Sequence, residues 1–300
     1  MARLAESRGY ECLWVTHGTS WDSLMLISAY AHATRTIGLG SGVLPIYLRH
    51  PVVLAQEALT LTALSGGRFR LGIGIGHRTT MTDALGLDMG NPIQVMREYV
   101  AILRSALSGQ AEEAGIRYRV RWKSALPRLP RPPSVFMAGL SARMLELAGE
   151  IADGVILWLC CPAYVREIAL PAAARGRAKH GKSLDGFEVV AAVPVAFTDD
   201  PEAAIALFKQ DLTRYLGLPF YRAMLAASGF REDMAAFDRH GVVSDRLAAS
   251  LGAVGDQKML GDYVTAYRQA GVTLPAVRPI GLPDAVHYRS TLEACAPRRG

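Results

Sequence analysis

Apolar positions along this chain recur with two different spacings, and the two alternate. Short runs rich in Val, Ile and Leu, bounded by Gly or Pro, are separated by longer stretches whose apolar residues return every three to four positions. That alternation predicts parallel strands joined by helical crossovers. Helices are predicted over residues 2–8, 21–34, 51–64, 92–107, 141–151, 164–180, 201–216 and 257–270. Strands are predicted over 12–15, 36–43, 68–73, 134–138, 154–159, 187–195 and 272–277. His50-Pro51 and Asp199-Asp200-Pro201 set Pro in the first turn of a helix, where it is tolerated. The pattern is strongest over 92–107, where Ile93, Met96, Val100 and Leu103 share one face. Two stretches break the rhythm. Residues 109–133 read as an excursion or hairpin, and 217–251 as mostly helical but too long for one crossover.

Seven strands fall one short of a (β/α)8 barrel, and the chain opens on a helix where such barrels open on a strand. A seven-stranded parallel barrel would leave two unpaired edges. The expectation is therefore α/β, a single (β/α)8 TIM barrel over 1–300 with its first strand apparently missing. Either the start lies upstream or another segment fills the gap.

Composition narrows the function classes. Half of the 300 residues are apolar and 20% are charged, enough for a large core and unlike a disordered chain. Cys12, Cys160, Cys161 and Cys295 form no CxxC pair, so no disulfide or zinc framework is expected, and Cys12 and the vicinal pair read as small buried hydrophobes on strands. Formal charge is +6, and 28 of the 33 basic residues are Arg. That bias suits phosphate or carboxylate partners, or else reflects a GC-rich genome. Without an RNP, helix-turn-helix or basic-zipper pattern, no nucleic-acid partner is expected. The longest apolar stretches, such as 154–161, are too short for a membrane span, and no secretory signal opens the chain. A cytoplasmic protein with no membrane partner is expected.

Two ordered motifs carry a resemblance. One is His50-Pro51-Val52-Val53-Leu54-Ala55 followed by Leu64-Ser65-Gly66-Gly67-Arg68-Phe69-Arg70-Leu71-Gly72-Ile73-Gly74. The other runs from Val135-Phe136-Met137-Ala138-Gly139-Leu140-Ser141-Ala142-Arg143 through Ala148-Gly149-Glu150-Ile151-Ala152-Asp153-Gly154-Val155. The first resembles the bacterial luciferase-like monooxygenases, (β/α)8 barrels that bind a flavin or deazaflavin. The second resembles the branch that uses coenzyme F420, to which methylenetetrahydromethanopterin-reductase-like enzymes belong. The resemblance extends to about residue 280. It implies an F420-dependent oxidoreductase that passes a hydride between the deazaflavin ring and a small organic substrate, with C=C or C=N reduction preferred over alcohol oxidation. An FMN-dependent monooxygenase on the same barrel is the alternative, and a non-catalytic flavin-binding or scaffold protein is the alternative of another class. The resemblance also implies a homodimer; Leu24, Ile27 and Ala31 would form its face or else pack on the barrel.

In such a barrel, function maps to residues just after each strand. Gly139-Leu140-Ser141 lies where a strand passes into a helix, so Ala138 to Ser141 could cradle a phosphate. Alternatively, Ser141 simply caps its helix. Gly74, Ile75 and Gly76 belong to a glycine loop without the helix a dinucleotide fingerprint needs, and so read as a close backbone approach to a planar ring. The resemblance implies a bulge with a non-proline cis peptide at Ser41, Gly42 and Val43; relief of crowding at a strand end is the other reading of those glycines. Trp14, Leu44, His77 and Trp158 are the expected substrate pocket. His17 is the catalytic candidate, since an imidazole can give or take a proton near neutral pH. Relatives carry an acidic residue beside that histidine, whereas here the sequence reads Thr16-His17-Gly18. Glu57 is expected to meet an Arg, and His50 to organise the turn before Pro51. Arg117, Arg119, Arg121, Lys123, Arg128 and Arg131 are either a solvated face or a surface for an anionic coenzyme tail.

Overall fold

Glycine and proline punctuation sets where most elements stop in the computed structural model, which describes residues 1–125, 129–281 and 286–297. Contacts divide the chain into two compact units, Met1–Ala138 with Leu147–Gly154, and Gly139–Glu146 with Val155–Gly300. In the first unit α1 (Ala2–Ser7) is followed by β1 (Cys12–Val15), α2 (Ser23–Ala33), β2 (Gly38–Ser41), β3 (Leu44–Pro45), α3 (Pro51–Leu64) and β4 (Phe69–Gly74). Then come α4 (Pro92–Leu107), β5 (Gln110–Ala114), β6 (Arg119–Lys123) and β7 (Ser134–Ala138). The strands β1-β2-β4-β7 lie side by side in that order, all parallel, with β3 also on β4.

The conspicuous residues of the first motif hold this unit together. Gly66 and Gly67 both adopt left-handed φ, +65° and +85°, which lets the chain reverse after α3. The reversal delivers Arg68 to the carbonyl ends of two helices. Its guanidinium donates to Ala31 O, Thr34 O and Ser65 O at 2.7–3.2 Å, and to Ile37 O at 2.7 Å. A cation there satisfies carbonyls that a helix end leaves without partners. Glu6 works in the opposite sense. Its carboxylate accepts the N–H groups of Arg35, Thr36 and Ile37 at 2.7–3.1 Å, which hold its pKa down at about 2. Asp153 of the second motif accepts Val135 N at 2.8 Å and pairs with Arg104 at 3.1 Å, tying the start of β7 to α4. Around these anchors Leu39, Leu71, Ile73, Val135, Phe136 and Met137 are fully buried.

After β7 comes α5 (Ala142–Ile151). The second unit continues with β8 (Gly154–Leu157), α6 (Pro162–Tyr164), a π-helical turn at Val165–Ala169, α7 (Leu170–Ala178), β9 (Glu188–Phe197) and α8 (Pro201–Leu216). It ends with α9 (Pro219–Ala227), α10 (Arg231–His240), α11 (Asp245–Leu251), β10 (Ala253–Gly255), α12 (Gln257–Gln269), β11 (Leu274–Pro279) and α13 (Val286–Ala294). β9 takes β10 and β11 as parallel partners, and its Val190, Val193 and Val195 are buried with Phe208, Leu212, Leu247, Leu260 and Tyr267.

Several expectations shift. The strand expected over 36–43 breaks at a cis Gly42–Val43 peptide and resumes as β3. The strand expected over 154–159 ends at Leu157, because Leu159 takes φ +55°. Cys160 and Cys161 therefore fall in a loop rather than on a strand, although both are buried as expected. The helix expected over 164–180 is interrupted by the π-helical turn. β10 and α13 are elements the periodicity did not indicate. The 109–133 excursion contains the antiparallel hairpin β5–β6. In it Ala111 and Val120 face inward, while Arg119, Arg121 and Lys123 face solvent, with Arg121 opposite Glu112. That is the solvated face, and Arg128 lies outside the described residues. Leu24, Ile27 and Ala31 are buried within the single chain, so they pack inward instead of offering a dimer face. Among the described residues no helix is long and apolar enough to cross a membrane.

Candidate functional site

The carboxyl ends of the first unit's strands gather most of the predicted residues. Trp14, on β1, lies across the pair from Gly40 and meets Phe136 edge-on at 5.2 Å. A Cβ on Gly74 would stand 2.8 Å from Val43 Cγ2 and 3.2 Å from Ala138 Cβ. The glycine is thus the space into which the Gly42–Val43 bulge fits. Gly76 needs its own freedom, with φ +69° and the side chain of Met81 beside it. A six-residue π-helical turn, Thr79–Ala84, follows the glycine loop where no helix was expected. Ile75 and Gly76 are half-buried, His77 is exposed, and Leu44 is fully buried. Ser41 keeps its side chain inside the sheet. Its fully buried hydroxyl donates to Gly72 O and accepts Gly72 N, both at 2.9 Å, leaving only its backbone for a ligand.

His17 does have a carboxylate neighbour, which comes from the start of α2 and not from the strand end. Asp22 caps α2 through Leu24 N and Met25 N, and its other oxygen lies 3.9 Å from His17 Nδ1. Arg49 joins the group, 2.6 Å from Asp22 and 3.1 Å from Glu57, as expected for Glu57. His50 likewise caps α3 by accepting Val52 N. The charges pull in different directions. Burial raises the pKa of Asp22, but the N–H of Met25 and the Arg49 guanidinium outweigh it and hold the carboxyl below its ordinary value. Burial wins at Glu57, which is raised despite Arg49. His17 is lowered, first by burial and then by Arg49, with Asp22 opposing. Its Nδ1 accepts Ser23 N at 3.5 Å and lies 3.1 Å from Ser23 Oγ, so the neutral ring carries its proton on Nε2.

This geometry makes a pH prediction. In the window just below His17's unfolded pKa, the unfolded chain binds a proton that the folded ring refuses, so stability falls as pH falls through it. Arg49→Met removes a cation that lowers His17 and leaves Asp22, which raises it. The imidazole Cε1 proton of His17, followed by NMR against pH, is expected to titrate higher in the variant than in the parent protein. An unchanged midpoint would show that Arg49 does not set the charge of this ring.

The second unit holds Gly139-Leu140-Ser141 at the start of α5. Tyr164 donates its hydroxyl to Leu140 O and fixes the turn, and a Cβ on Gly139 would press on Leu145 at 3.2 Å. Ser141 Oγ accepts Met144 N at 3.3 Å, a long capping bond. Ser141, Ala142 and Arg143 are exposed, and no acidic residue occupies the first turn. Free N–H groups, a hydroxyl and an acid-free helix start favour an anion. Elsewhere in this unit Trp158 meets Tyr215 edge-on at 5.6 Å, with Arg278 stacked 4.7 Å above its ring. Neither Asp22 nor Arg278 was singled out from the sequence. The Asp-Ser pair ahead of an apolar run was the available signal for Asp22 as a helix cap. For Arg278 there was none. No cluster of three or more metal-ligating side chains occurs among the described residues.

Parallel strands joined by helical crossovers, with the glycine loop and His17 after strand ends in the first unit and the start of α5 in the second, are the elements of an α/β fold. The chain belongs to the luciferase-like monooxygenase family, whose model matches residues 1–274. It is 32% identical over 207 residues to the 5,10-methylenetetrahydromethanopterin reductase of Methanolobus tindarius, covering 68% of this chain and 62% of that one. An F420-dependent secondary alcohol dehydrogenase, solved with an F420-acetone adduct, superimposes with TM-score 0.79 at 18% identity, covering 98% and 90% of the two chains. The oxygenating constituent of 3,6-diketocamphane monooxygenase from Pseudomonas putida, solved with FMN, gives 0.74 at 18%, covering 98% and 89%. At such identities the two structures establish the (β/α)8 fold alone.

Proposed function

We propose that this protein is an F420-dependent oxidoreductase that moves a hydride between the deazaflavin ring and a small organic substrate, preferentially reducing C=C or C=N. The observation that carries the reading is the exposed, acid-free start of α5, its turn pinned by Tyr164. When bound, the deazaflavin supplies the carbon that accepts or gives the hydride. The residues present fit such a group. Ala138, Gly139, Leu140 and Ser141 would hold its phosphate through backbone N–H groups and the Ser141 hydroxyl. The backbone of Ser41, Gly42 and Val43, with Gly74, Ile75 and Gly76, would bound its planar ring, since glycine at 74 and 76 removes side chains from that approach. His17 holds a proton at Nε2 and is oriented through Nδ1 by Ser23. The burial that keeps its ring neutral suits it to give or take that proton during reduction or oxidation. Trp14 and His77 of the first unit would shape the substrate side.

An FMN-dependent monooxygenase is the second reading, favoured by the FMN-bound structure on the same fold. Titration of the purified protein with oxidised F420 and, separately, FMN, followed by fluorescence, decides between them. Tight binding of F420 with FMN ignored is the expected result. FMN binding in preference would establish the monooxygenase reading, and binding of neither would leave a non-catalytic scaffold protein.

A further inference from the structure

The turn of the β5–β6 hairpin, residues 115–118, is fixed by Glu98 on α4. The Glu98 carboxylate accepts Arg117 N at 3.1 Å and Tyr118 N at 2.8 Å. Gly115 makes that fit possible, since a Cβ there would stand 2.0 Å from Glu98 Oε1. With its backbone held, Arg117 sends its side chain away from the solvated face of the hairpin. Its Nη2 donates to Asp88 O at 2.7 Å, and its guanidinium lies over the Tyr47 ring, 5.2 Å from the centroid. The Tyr118 side chain bonds the same guanidinium. Tyr47, between β3 and α3, donates its hydroxyl to Met89 O at 2.8 Å. Two side chains from separate stretches of the first unit thus hold consecutive carbonyls of one loop.

That loop is bonded back to the glycine-rich end of β4. Leu87 N donates to Met81 O at 2.8 Å, and the Thr82 hydroxyl donates to Leu87 O at 3.2 Å, which ties the held segment to the π-helical turn. From that turn Met81, 2% exposed, packs against Gly76, where a Cβ would meet Met81 Cγ at 3.1 Å. The carbonyl of His77 accepts Thr80 N and Met81 N at 3.0 and 2.8 Å, so the same turn fixes its backbone. Contacts therefore run without a break from Arg117 to Gly76 and His77. We propose that Arg117, together with Tyr47, is a positioning residue: the pair clasps the loop over 85–91 and thereby sets how Gly76 and His77 meet a ligand. Taking that ligand as F420 rests on the functional reading, whereas the clasp does not. Arg117 is exposed, so the clasp can open locally while the fold stays intact, and a ligand bound by the closed loop is weakened by the fraction of open loop.

Amide hydrogen exchange on the full chain without coenzyme reads the clasp, and fluorescence titration with F420 reads its consequence. In Arg117→Met the amides of Met81, Leu85 and Leu87, all donated within the loop, are expected to exchange roughly tenfold faster than in the parent protein, about the effect of one lost hydrogen bond. The amides of β1 and β2 should keep their rates. Tyr47→Phe leaves the ring under the guanidinium and removes the bond to Met89 O, and the same local pattern is expected. Arg117→Lys retains a cation and a donor, and should lie near the parent. F420 binding by Arg117→Met is expected to weaken severalfold, by no more than the factor seen in exchange. Unchanged exchange between residues 77 and 88 in both Arg117→Met and Tyr47→Phe would overturn the proposal. So would exchange raised equally in β1 and β2, an Arg117→Lys as fast as Arg117→Met, or F420 held by Arg117→Met as tightly as by the parent. A parent protein that shows the exchange pattern and binds no F420 would remove the functional reading and leave the clasp standing.

Discussion

Gly40→Ala is expected to destabilise the protein by about 3 kcal/mol, a fall in Tm of roughly 5–10 °C in a scanning calorimeter. A Cβ at this position would stand 2.3–2.8 Å from three atoms of the Trp14 ring, closer than any real contact. The indole cannot simply swing away, because its edge is held against Phe136, which is fully buried. Here an aromatic residue covers a glycine on the neighbouring strand and supplies the packing the glycine lacks. The prediction therefore includes a coupling. In Trp14→Ala the space beside Gly40 opens, so adding Gly40→Ala to it should cost less than the sum of the single changes, by about 1 kcal/mol or more. Strict additivity of the two changes would show that the indole does not impose the glycine.

The second large effect is on ligand binding. If Ser141 holds a coenzyme phosphate as proposed, Ser141→Asp is expected to weaken F420 binding by about a hundredfold or more, since like charges brought together cost several kcal/mol. Thermal stability should hardly change, because Asp caps a helix as well as Ser does and the helix dipole favours its charge. Ser141→Ala should do the reverse, losing about 1 kcal/mol of cap with a smaller loss of binding. Fluorescence titration beside calorimetry reads both quantities. Undiminished binding by Ser141→Asp would leave Ser141 as a cap and nothing more.

Much of this layout was legible along the chain, and the cases share a reason. Helix starts at Pro51, Pro92 and Pro201, the strands Cys12–Val15 and Ser134–Ala138, and the strand-to-helix junction at Gly139 all depend on residues a few positions apart. Helical spacing, proline in a first turn and a glycine stop act through local backbone sterics, which the sequence states directly. The missed elements are short or atypical in period. β10 has three residues, and the π-helical turns do not repeat at the α-helical spacing.

The site was less legible, because its chemistry depends on distant residues brought together by strand register. Ser41 was expected only as part of the bulge, and the pairing of β2 with β4 turns its hydroxyl onto Gly72. His17 looked bare of a carboxylate, and the start of α2 supplies Asp22. Arg278 carried no signal at all until β11, β8 and α8 placed it between Trp158 and Asp211. The sequence by itself determined the alternation of strands and helices, their caps and the glycine-rich strand ends, since each follows from local sterics and periodicity. Only the tertiary structure decided which donors keep a partner and which charges share a site, because hydrogen bonds and Coulomb interactions act over a few ångströms of space regardless of distance along the chain.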